Sequence, residues 1–345
     1  MTSVDRSRVA VVVALAVIVG ATCALLSATG FDVGRAVTAL VGGAGGSWFA
    51  FGSGTLVRAT PLIMTGLAVA IAFRAGVFNI GADGQFLLGA SVAAATGLAL
   101  RGAPAFFVLP AALLAGLAAG AAWAGIAAML RARFHVLEVI STILLNFVAA
   151  SLVSYVVRGP LQEPTHIYPQ TESIPIAAQL PRFGSATRLH LGFVLAVGSC
   201  VLAWWIVRYT AGGFRLRVAG ANPHAASVAA RIDVTRVTTT AFLVSGAAAG
   251  LAGAIEVCGV TYALYENISP GYGYTAIAVA LLARNNALGV IFTGVAFGAL
   301  EAGATAMQRD AGVPSVLVAV VEAALILALV AIERIRLIGA TPESA

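Results

Sequence analysis

The chain contains no lysine, so all 20 of its basic Lys and Arg residues are arginines. The phosphate-binding loop of ATPases and GTPases requires a lysine that reaches the nucleotide phosphates. This chain therefore cannot bind ATP through such a loop. If ATP drives its activity, another subunit must bind the nucleotide.

Charged residues are also scarce, at 10% of the 345 residues, whereas soluble domains contain roughly 25%. Hydrophobic residues make up 60% of the chain. This composition indicates an all-α integral membrane protein without a separate soluble domain. We attribute the net charge of +6 to arginines retained on the cytoplasmic side of a membrane, and we expect no nucleic-acid partner.

Reactive and metal-binding groups are few and scattered. The three cysteines lie in apolar segments, and the four histidines are dispersed at loops without metal-ligand spacing. No nucleophile elbow or acid–base pair stands out. We therefore expect no catalytic site, metal or cofactor in this chain, which argues against a membrane-embedded enzyme.

Apolar runs predict about ten membrane-spanning helices in one membrane domain over residues 1–345, because a span needs about 20 mainly apolar residues. The first is expected to be an uncleaved helix. The segments 79–100 and 273–284 are entered through glycine-rich sequence, which predicts broken helices. The predicted spans are 9–29, 55–74, 79–100, 104–130, 137–157, 191–208, 237–258, 273–284, 286–306 and 315–333.

Arginine positions predict the orientation. With both termini placed in the cytoplasm, thirteen arginines lie inside and seven outside, in agreement with the positive-inside rule. The loop 158–190 is then external, and its five prolines predict an extended, rigid conformation. The segment 208–236, with five arginines, is then cytoplasmic.

The segment 208–236 also contains a predicted short helix. Gly212-Gly213 permits a turn, Asn222 is a favourable N-cap and Pro223 a favourable first residue, so we predict about two helical turns from His224 to Arg231. An isolated helix of this length is unstable in water. It must therefore dock on a partner or on its own membrane domain.

A faint internal repeat is visible, since FNIGADGQFLLGA (78–90) aligns with ENISPGYGYTAIA (266–278). Inverted repeats with broken helices are common in transporters and line the central path. Amide and carboxyl side chains could hydrogen-bond a polar solute there, although they could equally bond across helices, and Asp83 and Gln85 could cap the half-helix 83–100. The candidate pathway residues are Asn79, Asp83, Gln85, Asn146 and Glu256.

Three ordered motifs resemble a known family, the permease subunits of bacterial ABC importers for branched-chain amino acids, ribose-type sugars and nucleosides. They are AGVFNIGADGQFLLGA (75–90), GFRLRVAGANPHAASVAARIDVTR (213–236) and GYGYTAIAVALLARNNALGV (271–290). The first and third are most similar to the nucleoside and simple-sugar branch. The chain departs from the family pattern in Asp83 for Glu, Arg231 for Gly, and Ala283 and Ala287 for Gly and Pro.

The resemblance implies a type II importer fold in a bacterial cell membrane and transport of nucleosides. It implies cytoplasmic ATPase subunits that bind ATP and Mg²⁺, a second permease subunit and an external substrate-binding lipoprotein. Residues in the 208–236 segment would contact the ATPase; these are Asn222, Pro223, His224, Ala225, Ala226 and Arg231. The alternatives are a permease for sugars or branched-chain amino acids, and an ion-coupled secondary transporter that uses buried carboxylates.

Overall fold

The computed structural model describes residues 20–21, 23–184, 187–314, 316–317, 319–320 and 323–324. Among these residues the only β-type contacts are two isolated bridges, Gln170–Tyr265 and Arg182–His190. The predicted all-α class is confirmed. From Val33 onward the helices are α1 (Val33–Gly45), α2 (Ala50–Arg74), α3 (Ala82–Ala99), α4 (Ala105–Phe134), α5 (Glu138–Arg158), α6 (Leu191–Tyr209), α7 (Ala211–Ala221), α8 (Pro223–Val228), α9 (Val234–Thr261), α10 (Tyr272–Leu282) and α11 (Ala287–Ala311).

Six of these helices, α2, α4, α5, α6, α9 and α11, are long and apolar enough to cross a membrane. The predicted span 79–100 forms α3, which is not among these six helices. The predicted span 273–284 corresponds to α10, whose 11 residues rise about 16 Å, roughly half of a bilayer core. The predicted spans 9–29 and 315–333 lie largely outside the described residues, and helix α1 was not predicted.

Contacts divide the chain into two compact units, one from Met1–Arg58 with Ala296–Ala345, and the other from Ala59–Val295. The prediction of one domain over residues 1–345 stays a prediction. In the first unit, α1 packs closely through Gly43, where a Cβ atom would lie 2.3 Å from the Ala306 Cβ atom. The second unit contains the polar residues that follow.

Glycines hold α3, α4 and α9 together in the second unit. A Cβ atom at Gly120 would lie 2.2 Å from the Gly246 carbonyl oxygen, and one at Gly250 would lie 2.4 Å from the Gly116 oxygen. Such distances are possible only without side chains, so the helix backbones touch. These glycines therefore serve the packing of α4 against α9.

The predicted external loop, residues 158–190, contains no α-helix after Arg158 among its described residues, as its prolines predict, but it is not uniformly extended: it turns at 159–161 and 164–165 and has a 3-10 turn at Ile176–Ala178. It runs beside residues 257–266: the Thr171 amide donates to the Leu264 oxygen (2.8 Å) and the Leu180 amide to the Cys258 oxygen (2.7 Å). Arg158 also pairs with Glu266 at 2.6 Å and, through this hydrogen bond, holds the pKa of that carboxyl below its usual range. The loop is therefore tied to the end of α9.

Candidate functional site

The first turns of α3 and α10 meet in the second unit. The Asp83 Oδ1 atom, in α3, accepts hydrogen bonds from the Gly273 amide of α10 (3.0 Å) and from Ser269 Oγ (2.7 Å). A Cβ atom at Gly273 would lie 2.1 Å from the Asp83 amide nitrogen. The two segments of the proposed repeat thus lie against each other, each at a helix N-terminus.

The Asp83 side chain therefore accepts its hydrogen bonds from the neighbouring helix and its approach, although Asp83 also lies in the first turn of its own helix. The carboxylate lies at the positive end of the α10 dipole. The N-cap of α3 is Gly81, and no side chain bonds the α3 amides from that position. The prediction that Asp83 caps its own half-helix is wrong, because the end of α10 occupies the space in front of its carboxylate.

Asn79 and Gln85 form a closed amide pair just before and within α3. The Asn79 Nδ2 atom donates to Gln85 Oε1 (2.9 Å), and Gln85 Nε2 donates to Asn79 Oδ1 (3.0 Å). Asn79 Nδ2 also donates to Ser245 Oγ (2.8 Å), and Ser245 Oγ donates to the Ala68 oxygen of α2 (2.6 Å). Asn79 is 0% exposed and Gln85 1%, so in this conformation the pair joins α2, α3 and α9 and does not reach the surface.

Asn146 of α5 provides a hydrogen-bond acceptor for a backbone amide in the first turn of α3, which the N-cap residue Gly81 does not supply. Its Oδ1 atom accepts from the Gly84 amide (2.8 Å), and its Nδ2 atom donates to the Ile80 oxygen (2.9 Å). The same Nδ2 lies 3.2 Å from the Tyr274 hydroxyl, and Tyr274 is 44% exposed. Tyr274 therefore connects the buried Asn146 amide to the surface.

Three hydroxyl groups at this site were not predicted: those of Ser245, Ser269 and Tyr274. Tyr274 is the last residue of the GYGY motif and Ser269 lies two residues before it, so this motif was the available signal. Ser245 lies in an apolar helix, among small residues that are ordinary packing positions. Only the folded chain brings Ser245 to Asn79.

Glu256, also predicted to line the pathway, lies farther along α9. It is 6% exposed and directly precedes the π-helical turn Val257–Thr261. Such turns widen a helix and occur often at functional sites. The role of Glu256 in transport stays a prediction.

These hydrogen-bonded residues lie where two helices begin beside the middle of a third. Ser245 is near the middle of the long helix α9, while α3 and α10 begin beside it. In transporters, N-termini of discontinuous helices present amide donors to substrates near the bilayer midplane. The site offers amides and hydroxyls, which suit an uncharged, polar solute. Among the described residues no group of three or more His, Cys, Asp or Glu side chains could hold a metal ion.

Replacing Asp83 by alanine is expected to lower the free energy of unfolding by about 1–2 kcal/mol, because the α10 amide and the Ser269 hydroxyl lose their acceptor. Asp83→Asn keeps an oxygen acceptor and should lose less. The thermal unfolding of both variants in detergent measures the difference. An unchanged melting temperature for Asp83→Ala would contradict the assigned role.

The 208–236 segment forms two helices, α7 and α8. Asn222 caps α8 as predicted: its Oδ1 atom accepts from the Ala225 amide at 2.9 Å, and Pro223 is the first helical residue. The predicted helix His224–Arg231 is too long, because α8 ends at Val228 and Arg231 has φ +50°. Arg231 thus lies in the left-handed region that glycine favours.

The predicted turn at Gly212-Gly213 is also wrong, because both glycines lie in the first turn of α7. Thr210 caps this helix by accepting from the Gly213 amide at 3.1 Å. A Cβ atom at Gly213 would lie 2.3 Å from the Ile206 oxygen, and one at Gly220 would lie 2.1 Å from the Arg74 oxygen. Glycine here permits close docking of α7 on the ends of α6 and α2.

Helix α8 buries one side and exposes the other. Ala226 is 0% exposed, whereas His224 and Ala225 are exposed and Val228 is 68% exposed. An exposed apolar side chain on a capped helix suits a protein contact. The coupling role of these residues stays a prediction.

Comparison with known proteins places the chain among transport proteins. Residues 51–330 match the family described as branched-chain amino acid transport system / permease component. The chain is 39% identical over 321 residues to the guanosine ABC transporter permease protein NupP of Bacillus subtilis, with 91% of this chain and 90% of the relative covered.

Two further relatives are the glucose ABC transporter permease protein TsgB13 of Haloferax volcanii and the nucleoside ABC transporter permease protein NupB of Lactococcus lactis. Identity to the first is 41%, with 81% of this chain and 75% of the relative covered. Identity to the second is 30%, with 79% and 77% covered. No solved structure matches the chain significantly. Because the family match covers most of its length, the chain belongs to the branched-chain amino acid transport system / permease component family, the membrane-spanning transport subunits of ABC transporters.

Proposed function

We propose that the chain carries nucleosides across the cytoplasmic membrane of a bacterium as the permease of an ABC importer. The observation that supports this most is the group of hydrogen bonds around Asp83, in which two half-helix N-termini meet amide and hydroxyl side chains. These groups bond one another in this conformation, so they would meet an uncharged, polar nucleoside only when the first turns of α3 and α10 separate. The similarity to the guanosine and nucleoside permeases extends over most of the chain.

In this proposal both termini are cytoplasmic, and so are α7 and α8. Cytoplasmic ATPase subunits bind ATP with Mg²⁺ and contact α8 through its exposed side. ATP-driven closure of the ATPases moves α8 and rocks a pair of permease subunits, identical or similar, between outward- and inward-open states. An external substrate-binding lipoprotein docks on the loop 158–190, whose bonds to residues 257–266 transmit its contact to α9.

Sugars are the second candidate substrate, because the relative from Haloferax volcanii is named a glucose permease and is 41% identical. A sugar would use the same amides and hydroxyls. A branched-chain amino acid would also carry a charged ammonium and a charged carboxylate. The secondary-transporter alternative needs free carboxylates, but Asp83 accepts two hydrogen bonds and Glu138 pairs with Arg131 at 3.3 Å.

Uptake of labelled guanosine, adenosine, ribose, glucose and leucine by a strain lacking the chain, with and without the restored gene, tests the substrate. We expect the gene to restore guanosine or adenosine uptake. Restoration of glucose or ribose uptake alone would favour the sugar reading, and leucine uptake alone would contradict both.

A further inference from the structure

Two adjoining pockets lie where α2 and α6 end. The first is a cavity of about 90 Å³ whose lining includes Arg74, Arg208 and Arg217. The second is a mainly apolar groove of about 360 Å³ between α6, α7 and α9. Ile71, Ala203 and Val207 line both, so the arginine cavity opens directly beside the apolar groove.

The positive charges in the cavity are not compensated by its own lining, which contains no aspartate or glutamate among the described residues. The Arg74 Nη1 atom donates to the Asn285 backbone oxygen (3.1 Å), and Arg217 Nη1 donates to the Val207 oxygen (2.8 Å). Both acceptors are neutral, and both guanidinium groups are half-buried. Arg208 stacks over the Tyr209 ring, with 5.8 Å between its Cζ atom and the ring centroid.

Two half-buried cations that line one cavity, Arg74 and Arg217, are costly unless an anion joins them, and the exposed Arg208 adds a third positive charge there. A phosphate group satisfies the planar donor array of arginine through paired hydrogen bonds. The amide of Asn285 adds a further group, since its Oδ1 atom is buried without a hydrogen-bond partner among the described residues. A half rotation of this amide would put an NH₂ donor where the Oδ1 atom lies.

The groove supplies the apolar half of the site. Its lining includes Ile206, Leu216, Val237 and Val244, and Arg215 and Arg236 also line it. Apolar surface beside clustered arginines, at the level where spanning helices end, fits a lipid whose chain lies in the groove and whose headgroup is anionic.

We propose that this composite site binds one anionic phospholipid, with its phosphate in the arginine cavity and an acyl chain in the groove. The lipid joins α2 and α6 to α7, the helix that precedes α8. This proposal goes beyond the transported substrate and does not depend on it.

Lipid retention by the purified full-length chain tests the proposal. The chain is exchanged into detergent with equal amounts of phosphatidylglycerol and phosphatidylcholine of the same acyl chains, and bound lipid is counted by native mass spectrometry. We expect wild type to retain phosphatidylglycerol preferentially. Arg208→Gln and Arg217→Gln should each weaken retention by about fivefold, while Arg208→Lys should keep most of it.

Arg133→Gln is the matched control, because Arg133 is an exposed arginine that lines neither pocket. Each variant must match wild type in its size-exclusion profile. Equal retention of the two lipids by wild type, or equal losses in the control and the cavity variants, would overturn the proposal.

Ala203→Phe distinguishes lipid binding from the binding of free phosphate, because the phenyl ring fills the junction of the two pockets and leaves the arginines in place. We expect this variant to lose phosphatidylglycerol while the arginine variants behave as described. If Ala203→Phe retains the lipid like wild type, the groove does not hold the acyl chain. If inorganic phosphate binds wild type as tightly as phosphatidylglycerol does, phosphate alone satisfies the site. Either result would overturn the lipid assignment.

Discussion

Replacing both Ala225 and Val228 by aspartate is expected to abolish substrate uptake while the partner ATPase continues to hydrolyse ATP. Both side chains lie on the exposed side of α8, and Val228 is an apolar residue 68% exposed. Charges placed in the centre of a protein contact must be desolvated without a partner. We therefore expect uptake to fall at least about tenfold, which corresponds to about 1.4 kcal/mol of lost contact energy.

Ala225 and Val228 are better positions than Ala226 for testing the proposed contact with the ATPase. Ala226 is 0% exposed, so an aspartate there would be buried and would disrupt the packing of α8 itself. Aspartate at 225 lies in the first turn of α8, where a negative charge favours the helix. Aspartate at 228 lies in the last turn, where a negative charge costs about 0.3–1 kcal/mol, so the yield and size-exclusion profile of the double variant must be shown to match wild type.

Ala132→Asp is the matched control, because Ala132 is an exposed alanine in α4 and lies outside the 208–236 segment. Uptake and ATP hydrolysis are measured together in membranes that contain the complete transporter. We expect the control to transport at the wild-type rate. Wild-type uptake by the Ala225→Asp, Val228→Asp variant would show that α8 is not the coupling contact.

Replacing Gly250 by valine is expected to be severely damaging, because this glycine lies where two helix backbones touch. A Cβ atom at this position would lie 2.4 Å from the Gly116 oxygen and 2.8 Å from the Gly120 Cα atom. These atoms belong to the backbone of α4 and cannot rotate away. Helices α4 and α9 must separate, and we expect a loss of about 3 kcal/mol or more in the free energy of unfolding.

Gly198→Val provides the comparison, because Gly198 lies in α6 and a Cβ atom there meets nothing within 4 Å. The yield of monodisperse protein and its melting temperature report the outcome for both variants. We expect Gly198→Val to resemble wild type. If Gly250→Val has the same yield and melting temperature as Gly198→Val, close contact between α4 and α9 does not stabilise the protein.

Features that depend on neighbouring residues in the chain were predictable. Asn222 and Pro223 begin α8 as their side chains require, because an N-cap and a fixed φ act within one helical turn. The prolines of the loop 158–190 likewise predict that its described residues contain no α-helix after Arg158. The candidate residues Asn79, Asp83, Gln85 and Asn146 do lie together at the start of α3, although their hydrogen bonds form separate sets.

The partners within these sets were not predictable, because they come from distant parts of the chain. Asp83 resembles an N-cap of α3, yet tertiary packing brings the α10 amides to its carboxylate. The backbone conformation of Arg231 was also not predictable from its residue type. An arginine in the left-handed region costs about 1 kcal/mol or more, so arginine is not expected there. The available signal was the family resemblance, because the family usually has glycine at the position of Arg231.

The most direct test is guanosine uptake into proteoliposomes that contain this chain, its ATPase and its binding protein, with the energy source varied. The proposed function predicts uptake with ATP and Mg²⁺ and none with a non-hydrolysable ATP analogue. A proton or sodium gradient without ATP should have no effect. Uptake driven by either gradient in the absence of ATP would contradict an ATP-driven permease and would indicate a secondary transporter.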